Sequence, residues 1–221
     1  MCGRYTLVAP APVFEDHFEA SFAESLAPSY NAAPSQRLPI IRNDQPGKIQ
    51  LLSWGLVPAW SKDPKSGPRP INARAETLAE KPTFRTLVGR RRCLVLADSF
   101  YEWQATAQGK VPHRILRQDE APFAFAGLWD EWADRATGEV LPTFTIVTTT
   151  ANALMAPLHE RMPVILPDRA AELMWLADEA GQAAHLAQLQ PLPEGILKAY
   201  PISTLVNSPG NNSPEVLRPI A

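Results

Sequence analysis

Cysteine is almost missing from this chain. Among 221 residues only Cys2 and Cys93 carry a thiol, too few for a disulfide scaffold and in keeping with a reducing compartment. Long apolar runs are missing too. The longest is about FAFAGLW, far short of the roughly 18 residues that span a bilayer. The start lacks a charged segment followed by an apolar one, so no secretion signal, no membrane partner and a cytoplasmic location are expected. Charge of one sign is also absent. The net charge of −2 excludes a protein that coats nucleic acid through bulk charge, but not one with a local basic groove. No two of the 11 glycines stand two apart, which rules out a G-x-G-x-x-G dinucleotide loop, and neither a Walker A motif nor a G-x-S-x-G elbow occurs. HERMP begins like a zincin helix but has Pro163 where the second histidine is needed. His17, His113, His159 and His185 have no zinc spacing. No cofactor and no metal are expected.

What is present is proline, 23 residues scattered along the chain, which implies many turns and edge positions. VFEDHFEASFAESL places Phe14, Phe18, Phe22 and Leu26 four apart, as on one face of an amphipathic helix. KPTFRTLVGRRR predicts a helix from about Pro82 to Gly89. DRAAELMWLADEA predicts another, capped by Asp168. Strand-like runs dominate: IQLLSWGL, CLVLADSFYEW read as one run, HRILR, FAFAGLW, FTIVTTT, MPVIL and KAYPIS, with ATAQGKVP as a hairpin connection. No regular βαβ alternation appears. The expected fold is α+β, a single domain over residues 1–221 with a curved, mainly antiparallel, barrel-like sheet flanked by helices.

Several polar residues lie within apolar surroundings. Glu102 sits between Tyr101 and Trp103. Buried, its carboxyl would be suited to proton transfer; on an alternating strand it would simply face water. Asn72 and Arg74, two apart in PINARAET, share a face if the segment is extended; the alternative is a helix cap and a surface ion pair. His159 and Arg161 precede the MPVIL run, His159 as a proton carrier or a structural ring, Arg161 as a phosphate ligand or a partner of Glu160. Trp54 reads as core, and Trp60, at a turn next to Lys62, as an exposed ring able to stack on a base. Cys93 reads as a buried small hydrophobe.

Cys2 follows Met1 directly in MCGRYT. A small residue there permits removal of Met1, which would leave a terminal residue with an α-amine and a thiol on adjacent carbons. Taken with YNAAPSQ, WGLVPAWSKD, INARAETLAEKPTFR, RRCLVLADSFYEW, FAGLW, FTIVTTTAN, LHERMPVIL and VNSPGNNSPE, this start resembles the SOS response-associated peptidase family, from Cys2 to about Glu215. That family includes the bacterial and animal abasic-site shield proteins. The resemblance implies an enzyme that binds abasic sites in single-stranded DNA, or at junctions of single and double strand, as a monomer. It implies a covalent thiazolidine link through Cys2 once Met1 has been removed by autoproteolysis, and lyase-type chemistry alongside. On this resemblance Cys2 is the nucleophile, Asn72 holds the terminal residue, and Glu102 and His159 are the acid–base pair. Arg4, Arg74 and Arg161 fall where members contact phosphates, and Asn31 and Trp60 fall in segments lining the DNA groove. Ser99 stands where many members have glycine, His113 where an aromatic is common, and the late loop differs. Two other readings of an N-terminal cysteine remain: an N-terminal-nucleophile amidohydrolase or peptidase, and a non-covalent reader of single-stranded or modified DNA.

Overall fold

The computed structural model describes residues 2–64 and 67–220. Its strands in chain order are β1 (Tyr5–Leu7), β2 (Ser21–Phe22), β3 (Ser29–Ala32), β4 (Arg37–Arg42), β5 (Lys48–Trp54), β6 (Asn72–Arg74), β7 (Arg92–Ala97), β8 (Ser99–Thr106), β9 (Gly109–Arg117), β10 (Phe123–Ala133), β11 (Val140–Thr150), β12 (Arg161–Pro163) and β13 (Leu197–Pro201). The helices are α1 (Ala11–Phe18), α2 (Leu87–Arg90), α3 (Arg169–Leu176) and α4 (Gly181–Ala187). The α+β class and the curved, mainly antiparallel sheet match expectation. Among the described residues no helix is long and apolar enough to cross a membrane.

Strands β11, β10, β7, β4 and β5 pair in succession, each pair antiparallel. A parallel pairing of β5 with β11, Ser53 against Thr143 and Trp54 against Phe144, closes the ring into a barrel. Closure removes the two free edges that an open sheet would leave. β6 and β12 are added along β11, and β2 along β5. A second sheet, in the order β13-β9-β8-β1-β3, packs on the barrel. Its Tyr5 and Phe100 rings each meet Phe125 of β10 at 5.8 Å, and Tyr5 lies 5.2 Å from Trp54. β7 and the first part of β10 are buried residue after residue, because both of their faces are covered.

Three expectations are corrected. The run CLVLADSFYEW is two strands in two sheets, divided at Asp98. The Asp98 carboxylate accepts the Thr6 hydroxyl and the amides of Val8 and Ala9, so it ends β7 and anchors the far side of β1. The Phe14–Leu26 stripe is helical only to Phe18. Glu19 takes the left-handed conformation at φ 50°, and Phe22 turns away to pair in parallel with β5 while its amide donates to Glu15. The residues from Pro82 to Thr86 are turns, and only Leu87–Arg90 is helical. The Asp168 cap is as read: its side chain accepts the Ala171 amide at 2.9 Å. The hairpin β8–β9 turns between Thr106 and Gly109, where a φ of 119° requires glycine.

Candidate functional site

The segment before β1 carries Cys2 into the seam between the two sheets. β1 pairs with β8 through Tyr5–Phe100, and the Tyr101 amide donates to the Arg4 carbonyl at 3.0 Å. The same register, carried one residue further, sets Gly3 opposite Glu102. Cys2 is fully buried. Its carbonyl accepts from Asn72 Nδ2 at 2.8 Å, a contact that joins β6, on the barrel, to the lead-in of the second sheet. Asn72 Oδ1 is buried and has no hydrogen-bond partner among the described residues. Burial pushes the Cys2 thiol up from 9.0 to about 12, and the Glu102 charge acts in the same direction. The sulfur is therefore a neutral thiol at physiological pH.

Glu102 lies in the middle of β8, 4% exposed, with Oε1 accepting from the Trp103 amide. It stands on a cleft of about 470 Å³ that is also lined by Trp103, Lys110, His159 and Asn207. His159 closes a turn whose amide donates to Met155 O. Its Nδ1 accepts the Arg161 amide at 3.0 Å, which leaves the proton of the neutral ring on Nε2. A second cleft, about 380 Å³, is lined by Asn72, Arg74, Trp60, Lys81 and Phe84 among others. Cys2 lines neither cleft, but Asn72, in the wall of the second, holds its carbonyl, and the charge of Glu102, in the wall of the first, raises its thiol. A roomier cleft, about 590 Å³, lies beyond Trp60 beside Trp132 and Arg135. None of Cys2, Glu102 or His159 lines it.

Of the expected site residues, Cys2, Asn72, Glu102 and His159 come together although they are scattered over the sequence. Asn72 and Arg74 lie on the extended β6, and Arg74 is exposed. Trp60 is 71% exposed and Trp54 is 1% exposed, as read; Cys93 is buried, as read. The others have surroundings that their sequence did not suggest. Asn31 is 1% exposed, and its amide donates to the carbonyls of Val206, Ser208 and Asn211. Its Oδ1 accepts from Arg4. Asn31 thus ties down the late loop. Arg4 also donates to Val206 O and Asn207 O; no carboxylate pairs with it among the described residues. Arg161 is 8% exposed, paired with Glu76 at 2.9 Å rather than with Glu160, and bonded to Thr148 O. Its guanidinium is turned inward. Ser99, the departure from glycine, accepts from Arg114 at 2.8 Å and bonds Thr6.

Trp103, Lys110 and Asn207 line the Glu102 cleft without having been singled out in the sequence. Hairpin pairing was the available signal for Lys110: a turn at 107–108 sets it against Ala105, on the face of Trp103. Asn207 had no such signal, because it arrives from the far end of the chain to accept Trp103 Nε1.

Residues 1–209 match the family model described as SOS response associated peptidase. The chain is 45% identical to the abasic site processing protein YoqW of Bacillus subtilis (strain 168), over 98% of this chain and 99% of that protein. It is 34% identical to the abasic site processing protein HMCES of Gallus gallus, over 87% of this chain and 66% of that protein. A crystal structure of a protein from Bacteroides thetaiotaomicron superposes with a TM-score of 0.89 at 30% identity, covering 100% of both chains.

Proposed function

This chain belongs to the SOS response-associated peptidase family, and from that premise we propose that it captures abasic sites in single-stranded DNA, or at single/double-strand junctions, by forming a thiazolidine on Cys2. The observation that carries the reading is the hydrogen bond of 2.8 Å from Asn72 Nδ2 to Cys2 O. It fixes a buried cysteine where the Glu102 carboxylate acts on its sulfur. Met1 lies outside the described residues, and its removal is part of the proposal: water cleaves the Met1–Cys2 peptide and frees the α-amine.

An abasic deoxyribose opens to an aldehyde. An α-amine with a pKa of about 7.7–8.0 is partly neutral near pH 7.5, whereas a lysine at about 10.4 is not. The terminal ammonium passes a proton to the Glu102 carboxylate, the freed Cys2 amine adds to the aldehyde carbon, and the carbinolamine loses water with that proton, giving an iminium. The sulfur then adds to the same carbon and returns its proton to the Glu102 carboxylate. Because the thiol is held neutral, nitrogen attacks first and sulfur closes the five-membered ring. That closure is intramolecular and gains the corresponding effective molarity. No oxidant or reductant is needed. Asn72 Oδ1, buried without a partner among the described residues, is the acceptor for the ammonium of the trimmed terminus. His159 Nε2–H donates to the sugar oxygen as the ring opens, and lends the same proton to lyase-type steps. Arg4 and Arg74, without carboxylate partners among the described residues, hold flanking phosphates. Trp60 stacks on a neighbouring base. Arg161 acts indirectly, by holding His159 through its backbone amide.

A thiol pushed up to about 12 weighs against the amidohydrolase reading, in which sulfur must attack as a thiolate. The deciding experiment is incubation with an oligonucleotide carrying one abasic site, followed by a denaturing gel. Wild type is expected to give a heat-stable shifted band and Cys2→Ala none. Glu102→Gln should form it about 10²-fold more slowly. No band from Met1-free wild type ends the covalent reading; an equal band from Cys2→Ala ends the role of Cys2.

A further inference from the structure

We propose that Lys110 is the phosphate-binding residue at the mouth of the Glu102 cleft, gripping the phosphodiester next to the captured sugar; this rests on the abasic-site reading. The cleft is lined by charges of both signs. Glu102 is 4% exposed, and Lys110 is exposed. In the β8–β9 hairpin Trp103 pairs with Pro112 and Ala105 with Lys110. Lys110 and Trp103 are thus diagonal neighbours on one face of the sheet, while Glu102 points to the other.

The cations of β9 differ in how they are satisfied. Arg117 is paired with Asp119 at 2.7 Å. Arg114 bonds Ser99 Oγ and Tyr200 OH. Lys110 has neither an ion-pair nor a hydrogen-bond partner among the described residues. An ammonium without a partner, in the wall of the cleft that Glu102 also lines, can serve an anion that arrives with the substrate. An abasic nucleotide supplies one: its C1′ has no base, but its sugar keeps a phosphodiester on each side. With the sugar in the Glu102 cleft, one of these phosphates lies within the span of the Lys110 side chain in this proposal. A lysine suits this contact as a mobile point charge.

The test measures conjugate formation of the full chain with a single-stranded oligonucleotide holding one abasic site, across DNA concentration and from 50 to 200 mM salt. Lys110→Gln is expected to raise the half-saturating DNA concentration roughly three- to tenfold at low salt and to reduce the slope of log affinity against log salt by about 0.7. The saturating rate should change less, and Lys110→Arg should recover both quantities. Unchanged half-saturation and slope in Lys110→Gln, with wild type still forming the conjugate, overturn the assignment alone. No conjugate from wild type overturns the underlying reading instead. A borohydride-trapped conjugate of Cys2→Ala that vanishes in Cys2→Ala/Lys110→Gln would make Lys110 an amine nucleophile and would also overturn it.

Discussion

Glu172 is 3% exposed on α3, and Arg169 Nη1 reaches it at 3.3 Å. Burial outweighs that partner and lifts the carboxyl from its ordinary 4.5 to about 7. A carboxyl raised in the folded state favours its neutral form there. The stability it contributes is therefore complete below about pH 4.5 and is lost as pH rises to about 7. Glu172→Gln keeps the shape and a partner for Arg169 without the titration. Urea unfolding at pH 4 and pH 8 should find the variant close to wild type at the lower pH and about 2–3 kcal/mol more stable than wild type at the higher. Equal stability at both values would mean that the carboxyl stays ionised when buried. The site residues divide by the same criterion of neighbours. Glu102 was legible as a carboxylate between aromatics, and Cys2 by its place behind Met1. The fates of Asn31 and Arg161 were not legible, because Val206 and Glu76, which claim their side chains, are distant in sequence.

Elements convey these residues to the site, and β1 is a short lever. Three residues long, it sets where Cys2 lies. Its far end is held by Asp98, which accepts the Thr6 hydroxyl and the amides of Val8 and Ala9. Asp98→Ala leaves the Val8 and Ala9 amides without their acceptor, and the Thr6 hydroxyl with Ser99 alone, and should cost about 2–4 kcal/mol in urea unfolding. At concentrations where the protein remains folded, conjugate formation should also slow, because β1 can then shift against β8. Asp98→Asn, which keeps one acceptor oxygen, should lie between the two. Stability within 0.5 kcal/mol of wild type for Asp98→Ala would sink this account of the strand switch. The end of α1 is an element-scale lesson as well. The four-residue spacing of Phe14, Phe18 and Phe22 satisfied a helix, but parallel pairing of Phe22 with Ile49 prevailed. Propensity yields where tertiary pairing satisfies more backbone groups.

At the scale of the molecule, the barrel wall leaves no room at Gly127 of β10. A Cβ there would meet Val95 Cγ2 at 2.7 Å, Cys93 Sγ at 2.8 Å and Thr145 O at 3.1 Å. Gly127→Ala should therefore destabilise the fold by about 1–3 kcal/mol, seen as a lower denaturation midpoint with an unchanged urea slope. Cys93→Ala in the same chain should return part of the loss, because it vacates one of the contacts. If the double variant is no better than the sum of its parts, the crowding lies elsewhere. The sequence by itself determined the α+β class, the strand content, the Asp168 cap, the β8–β9 hairpin, the core place of Trp54 and the candidacy of Cys2, Asn72, Glu102 and His159. The first five rest on alternation or turn chemistry within a short window, whereas the four site residues rest on the family resemblance that runs from Cys2 to about Glu215. Only the tertiary structure decided that Ser53 and Thr143 would close a barrel, that the chain would change sheets at Asp98, that Arg161 would turn to Glu76, and that Lys110 would share a cleft with Glu102. Those are pairings between distant segments, chosen by which groups burial leaves unsatisfied, and no local pattern encodes that competition.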